Sequence, residues 1–186
     1  MKRHLYLVGY RGTGKSTVGR LVAAELGWPF IDLDERIEAT AGTSIAGIFA
    51  GEGEAGFRDR ESAALKEAAG IVGAGRVSDG LPAVIATGGG IILREENRRL
   101  LMATGFVVWL QASAEAIWER VQADAVTAAR RPNLTMGGGL PEIVELLAVR
   151  ERYYTEVADA RVPTDGRSPE AVAAAILTLF RSIPSD

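Results

Sequence analysis

Leu5-Tyr6-Leu7-Val8 is an unbroken apolar run that stops abruptly at Gly9-Tyr10-Arg11-Gly12-Thr13-Gly14-Lys15-Ser16-Thr17. A run this short, apolar at every position, reads as a strand buried on both faces, as in a parallel sheet. Beyond the glycine loop, Val18, Leu21, Val22 and Leu26 recur at helical spacing, and Gly27 suits the helix end. Strand, glycine loop and helix in that order match the Walker A pattern with its context. Successive N–H groups of Gly12, Thr13, Gly14, Lys15, Ser16 and Thr17 can converge on phosphate oxygens at a helix N-terminus. Lys15 has the reach for β and γ phosphates, and the Ser16 hydroxyl is a Mg²⁺ ligand of the right kind. A glycine turn that merely ends a strand is the bland alternative, and the helix that follows weighs against it.

The rest of the chain repeats the alternation. Strands are expected at 30–34, 83–86, 106–110 and near Val162, and helices over 35–41, 44–50, 54–69, 95–103, from Ser113, over 141–155 and from Ser168. Ser168-Pro169-Glu170 starts its helix with a cap, a first-turn proline and an acid at the positive end of the dipole. Residues 70–82 are glycine-rich without a period and read mostly as loop, with no function assigned. The pattern predicts an α/β chain, a five-stranded parallel sheet with helices on both faces in three αβα layers. The 186 residues suit one domain spanning 1–186. Ligands on such a sheet bind at the carboxyl ends of the strands, where most of the glycine clusters and acidic tips fall.

Composition removes several chemistries. The absence of cysteine excludes disulfides, thiolate zinc sites and cysteine nucleophiles, and a single histidine, His4, cannot form a histidine metal cluster. His4 is expected on the surface. A net charge of -3 offers no basic field for a nucleic acid. Met1-Lys2-Arg3-His4 leads into a short apolar run and a glycine loop, a pattern of neither a signal peptide nor a membrane span, so a cytoplasmic location is the default expectation.

The ordered set of Walker A, Asp32-Leu33-Asp34, Phe57-Arg58-Asp59-Arg60-Glu61, Gly88-Gly89-Gly90, Arg131-Pro132 and Arg150 ahead of Tyr154 resembles the shikimate kinases over nearly the whole chain. The resemblance implies the P-loop fold, a substrate-binding segment at about 33–62, a lid at about 124–141, ATP as co-substrate with Mg²⁺, a small-molecule acceptor and a monomer. It implies that Asp34 contacts the acceptor hydroxyls and takes the proton of the attacking one. Arg58 and Arg150 would hold the acceptor carboxylate, and the backbone of Gly88, Gly89 and Gly90 would approach its ring. Asp32 would partner Mg²⁺ beside Ser16, usually through water. Arg131 would arrive with the lid, Arg120 would stack on adenine and Arg167 would flank it. Planar guanidinium forks suit a carboxylate, because each donates two parallel hydrogen bonds. Glu61 lies one helical turn from Arg58 and could fix its rotamer. Arg152 competes with Arg150 on the same helix, and the motif favours Arg150. Ile45, Ile48 and Phe49 read as core.

The family more often has two leucines after the lid proline, where Asn133 and Leu134 stand here. Met136-Gly137-Gly138-Gly139 is a further departure. Gluconate and nucleoside-monophosphate kinases share the phosphate loop, but Asp34, Arg58 and the three glycines favour shikimate. A regulatory nucleotide-binding module without turnover would be suggested by loss of Lys15, Asp34 or Arg131, and all three are present. A GTPase would need an Asn-Lys-x-Asp signature, and none of Lys2, Lys15 and Lys66 stands in one.

Overall fold

Strands and helices alternate along the chain and place five parallel strands in one sheet. The computed structural model describes residues 4–72, 75–76, 81–123 and 138–183. In chain order the elements are β1 (His4–Val8), α1 (Lys15–Leu26), β2 (Phe30–Asp32), α2 (Leu33–Ala41), α3 (Ile45–Ala68), β3 (Ile71–Val72), β4 (Gly75–Arg76) and β5 (Val84–Ala86). There follow a 3-10 turn (Ile91–Leu93), α4 (Glu95–Thr104), β6 (Gly105–Gln111), α5 (Ala114–Ala123), α6 (Gly139–Val157), β7 (Ala160–Pro163) and α7 (Pro169–Arg181).

The sheet order is β2-β5-β1-β6-β7, so β1 lies at the centre with a parallel neighbour on each side. A central strand of a covered sheet is wet on neither face, which explains its unbroken apolar run. Its side chains alternate all the same. Tyr6 and Val8 join Ile85, Val107, Leu33, Ile37, Leu65, Leu101 and Tyr154 on one face. Leu5 and Leu7 join Val84, Val108, Leu110, Val18, Val22, Val172 and Ile176 on the other. Those two apolar layers make the three-layer αβα architecture read from the alternation. A smaller cluster of Tyr10, Ile117, Val121 and Ile143 fastens α5 and α6 to the loop after β1.

Several boundaries differ from expectation for local reasons. The second strand ends at Asp32 rather than running to Asp34, because the Asp32 carboxylate accepts from the backbone N–H of Asp34 and Glu35 and so caps α2. The helices expected over 44–50 and 54–69 form one run, but Gly53 breaks its geometry at φ 68°, ψ -175°, so two helical segments meet at a kink. The stretch 70–82 holds a minimal antiparallel pairing of β3 with β4. His4 is buried, not on the surface, because β1 begins with it at the middle of the sheet beside the Tyr6 ring. Ile45 and Ile48 are core as expected, and Phe49 packs against Phe57 with ring centroids 4.8 Å apart. Among the described residues no helix is long and apolar enough to cross a membrane.

The kink has a testable energetic signature. Backbone of this kind is essentially restricted to glycine, and nothing lies within 4 Å of a Cβ added at Gly53. Gly53→Ala should therefore lower stability by about 1–3 kcal/mol through the backbone alone, seen as a lower urea midpoint. Gly51→Ala, on helical backbone with open space around it, should be neutral or stabilise by roughly 0.5–1 kcal/mol.

Candidate active site

Because all five strands run parallel, the loop after β1, the start of α2 after β2 and the glycine run after β5 share one edge of the sheet. That edge is where the sequence-predicted residues of the phosphate loop, Asp32, Asp34 and Gly88–Gly90 are found.

In the phosphate loop, Gly12 and Gly14 have positive φ, 78° and 87°. Gly14 precedes α1 and no side chain caps that helix, so its first N–H groups and its dipole face the loop. Lys15 is buried and its Nζ donates to the carbonyls of Gly9 at 2.9 Å and Tyr10 at 2.8 Å. The lysine thus closes the loop on itself, an architectural part that the sequence reading did not assign it. The Thr13 hydroxyl also donates to the Tyr10 carbonyl, at 2.8 Å. Ser16 and Thr17 are exposed at the mouth. Ser16 Oγ donates to Asp32 Oδ2 at 2.5 Å, while Asp32 Oδ1 accepts from Asp34 N at 3.0 Å. Asp32 is therefore both a helix cap and the carboxylate beside the candidate metal-binding hydroxyl.

The second half of the site is a knot of charge against the glycine run. Arg58 is buried, with its guanidinium paired to Glu61 and, at 3.0 Å, to Glu54. Burial works against its positive charge, but Glu61 and Glu54 more than offset that and leave its pKa raised. Space around the glycines is fully used. A Cβ on Gly90 would stand 2.1 Å from Arg58 Nη1, and one on Gly88 would stand 2.2 Å from Glu61 Oε1 and 3.1 Å from Asp34 Oδ1. Arg58, Glu61 and Asp34 therefore converge on one short piece of bare backbone.

Helix α6 reaches the same backbone from the other side. Tyr154 Oη donates to the Gly89 carbonyl at 2.7 Å, and Arg150 Nη1 does so at 3.3 Å. Tyr154 is fully buried and stacks on Trp109 with centroids 5.4 Å apart, and its burial pushes the phenol upward so that it stays a donor. Arg150 is buried and lies over the Tyr10 ring at 5.5 Å, whereas Arg152 is exposed and donates to Tyr153 Oη at 2.6 Å. Of these two arginines, Arg150 lies on the inward face of α6 and Arg152 on its outward face.

The far end of the loop holds the remaining arginines. Arg120 donates to Thr164 Oγ1 at 2.9 Å, to the Thr164 carbonyl at 3.0 Å and to the Gly12 carbonyl at 3.4 Å. Arg167 donates to the carbonyls of Pro163 at 3.3 Å and Ala171 at 3.1 Å on the same turn. Arg120 thus flanks the phosphate loop at Gly12, while Arg167 lies on the turn between β7 and α7. Arg131 lies outside the described residues, as do residues 124–137 of the lid expected at about 124–141.

Sequence reasoning missed several supports. Asn97 Nδ2 donates to the Ile91 carbonyl at 3.1 Å, and Arg98 Nη1 donates to the carbonyls of Ile92 at 2.9 Å and Leu93 at 3.2 Å, so α4 holds the turn that follows Gly90. Arg11 pairs with Glu142 at 3.3 Å, and Glu142 is buried. A first-turn acid such as Glu142 reads in sequence only as a partner for the helix dipole, so no local signal marks its distant partner.

The glycine packing gives a prediction. In Gly90→Ala and Gly88→Ala the obstructing atoms are the ends of side chains, which can move, so the fold should survive, with a lowered thermal unfolding midpoint because the buried Arg58–Glu61 pair is disturbed. The displaced Arg58 or Glu61 can no longer serve the site. Affinity for a carboxylate acceptor should fall at least tenfold by calorimetry, a loss of about 1.4 kcal/mol, while nucleotide affinity stays within about twofold.

Known proteins resemble this chain over nearly its whole length. The shikimate kinase family model matches residues 11–181. A shikimate kinase of Rhodopirellula baltica is 46% identical over 175 residues, covering 94% of this chain and 89% of its own. One of Pseudomonas syringae is 44% identical over 182 residues, covering 98% of each. The solved structure of a shikimate kinase from Acinetobacter baumannii in complex with shikimate superposes with a TM-score of 0.85 at 37% identity, over 97% of this chain and 93% of that one. With its phosphate loop, its buried Arg58 and its glycine run arranged on one sheet edge, the chain belongs to the shikimate kinase family.

Proposed function

We propose that this protein transfers the γ-phosphoryl group of ATP to the 3-hydroxyl of shikimate, giving shikimate 3-phosphate and ADP. The observation that carries this reading, beside family membership, is the convergence of Arg58, Glu61, Asp34 and Arg150 on the Gly88–Gly90 backbone next to a phosphate loop. One half of the site fits a polyphosphate and the other a small hydroxylated carboxylate.

Each residue has a chemical task. Lys15 and the loop N–H groups hold the phosphates, and Lys15 exchanges its two carbonyl partners for phosphate oxygens. Arg58 and Arg150 neutralise the acceptor carboxylate. Arg58 is pre-set by Glu61 and Glu54, so little freedom is lost when substrate arrives. Asp34 orients the 3-hydroxyl and takes its proton as the new O–P bond forms and the bond between the γ phosphorus and the bridging oxygen of ADP breaks. Arg131 supplies positive charge to the phosphoryl group in transit, and Arg120 and Arg167 border the adenine.

For Mg²⁺ the donor set fits. The Ser16 hydroxyl and the Asp32 carboxylate are hard oxygen donors in contact at the mouth of the loop. Among the described residues no cluster of three acidic or histidine side chains forms a metal cage, which suits an ion held jointly with phosphates and water. When bound, the ion screens the phosphate charge.

ADP release should be measured with Mg²⁺ and ATP in the presence of shikimate, gluconate, dAMP or no acceptor. Release that depends on shikimate is the expected outcome. Dependence on another acceptor would keep a kinase and remove the shikimate roles of Arg58 and Arg150, and nucleotide binding without turnover would indicate a regulatory module. Asp34→Asn should cut turnover by about 10²-fold or more with ATP affinity nearly unchanged, and a fully active variant would remove Asp34 from proton transfer.

A further inference from the structure

The phosphate loop spends two of its variable positions on helix α6. Tyr10 packs with Ile143 of that helix and lies under the Arg150 guanidinium. Arg11 reaches Glu142 in its first turn, where the carboxylate is shut off from solvent and the arginine nearly so. Neither contact is needed to cradle a phosphate, which requires backbone N–H groups and a lysine. A buried ion pair is also a weak source of stability, because desolvation offsets most of the attraction. It is better suited to fixing one arrangement of two elements.

The position of the pair matters because of what Lys15 touches. Its Nζ holds the carbonyls of Gly9 and Tyr10, the residues just before Arg11. When nucleotide phosphates draw the ammonium away, this is the segment whose partners change. The same segment abuts the acceptor side, since a Cβ on Gly89 would stand 3.3 Å from the Arg11 backbone nitrogen. Farther along α6, Arg150 and Tyr154 grip the Gly89 carbonyl.

Resting on the kinase reading above, we propose that Tyr10 and Arg11, through the Arg11–Glu142 pair and the Tyr10–Arg150 contact, link the nucleotide site energetically to the acceptor site. Arg11 and Glu142 are positioning residues in this scheme and touch no reacting atom. The link is reciprocal: each ligand changes the other's Kd by one factor.

The test is calorimetry on the full chain with shikimate alone, Mg²⁺-ADP alone and each in saturating amounts of the other. In the parent, the two shikimate Kd values should differ by about fivefold or more. In Glu142→Gln and in the double variant Arg11→Gln/Glu142→Gln, that factor should fall by about twofold or more from its parent value, the Tyr10–Arg150 contact remaining, while both ligands still bind singly. The double variant removes both charges of the pair together, so it tests the link even if the single change impairs folding. A parent factor of one, or a factor kept at its parent value in a folded double variant, overturns the proposal and leaves the kinase reading intact. A parent that binds Mg²⁺-ADP but not shikimate overturns the substrate reading and this link together.

Discussion

The Gly89 carbonyl oxygen is the point on which the site hangs. It accepts from Tyr154 and Arg150, two side chains four residues apart on the inward face of α6. A backbone carbonyl at the end of a central strand cannot drift, because β5 is hydrogen-bonded on both sides and Thr87 donates to the Leu7 carbonyl through its backbone N–H and its hydroxyl. Fixing α6 to that oxygen therefore fixes Arg150 to the sheet. The same strand end, lacking side chains at Gly88 and Gly90, leaves room for the Arg58–Glu61 pair on the opposite flank.

Electrostatics then sorts the edge into two halves. Around the phosphate loop the fixed charges are the Lys15 ammonium, the α1 dipole and the Asp32 carboxylate, placed so that a polyphosphate and a divalent ion can complete one another. Around the glycine run, Arg58 is balanced by two carboxylates before any ligand arrives, which keeps it charged despite its burial. Low-dielectric surroundings make such pairs strong in place and costly to break singly. The acceptor half is thus built in advance.

Much of this was legible in the chain. The strand–loop–helix around Lys15 has a sequence signal because phosphate binding demands glycines, a lysine and a hydroxyl at adjacent positions. Asp32, Asp34, Arg58 and the three glycines could be named through the family resemblance, which the strand-end positions of the aspartates and glycines support. Less was legible where partners are far apart. Arg98 at the Ile92 carbonyl and Tyr154 at the Gly89 carbonyl involve ordinary residues on helical faces. The end of β2 was misjudged by two residues because a cap from Asp32 outweighed the continuing apolar pattern, and His4 was misjudged because its neighbours in sequence say nothing of β1's central place.

By itself the sequence determined the alternation of strands and helices and the nucleotide loop, which rest on periodicity and on residues close together along the chain, and the family, which rests on the order of short motifs along nearly its whole length. Tertiary structure alone decided that Tyr154 grips the Gly89 carbonyl, that Arg11 of the phosphate loop meets Glu142 of α6, and that the space beside Gly88 and Gly90 is filled by Glu61 and Arg58. The physical reason is that these are contacts between elements many residues apart, set by the order β2-β5-β1-β6-β7 and the packing of helices on it. No local pattern encodes which distant side chain will fill a given gap.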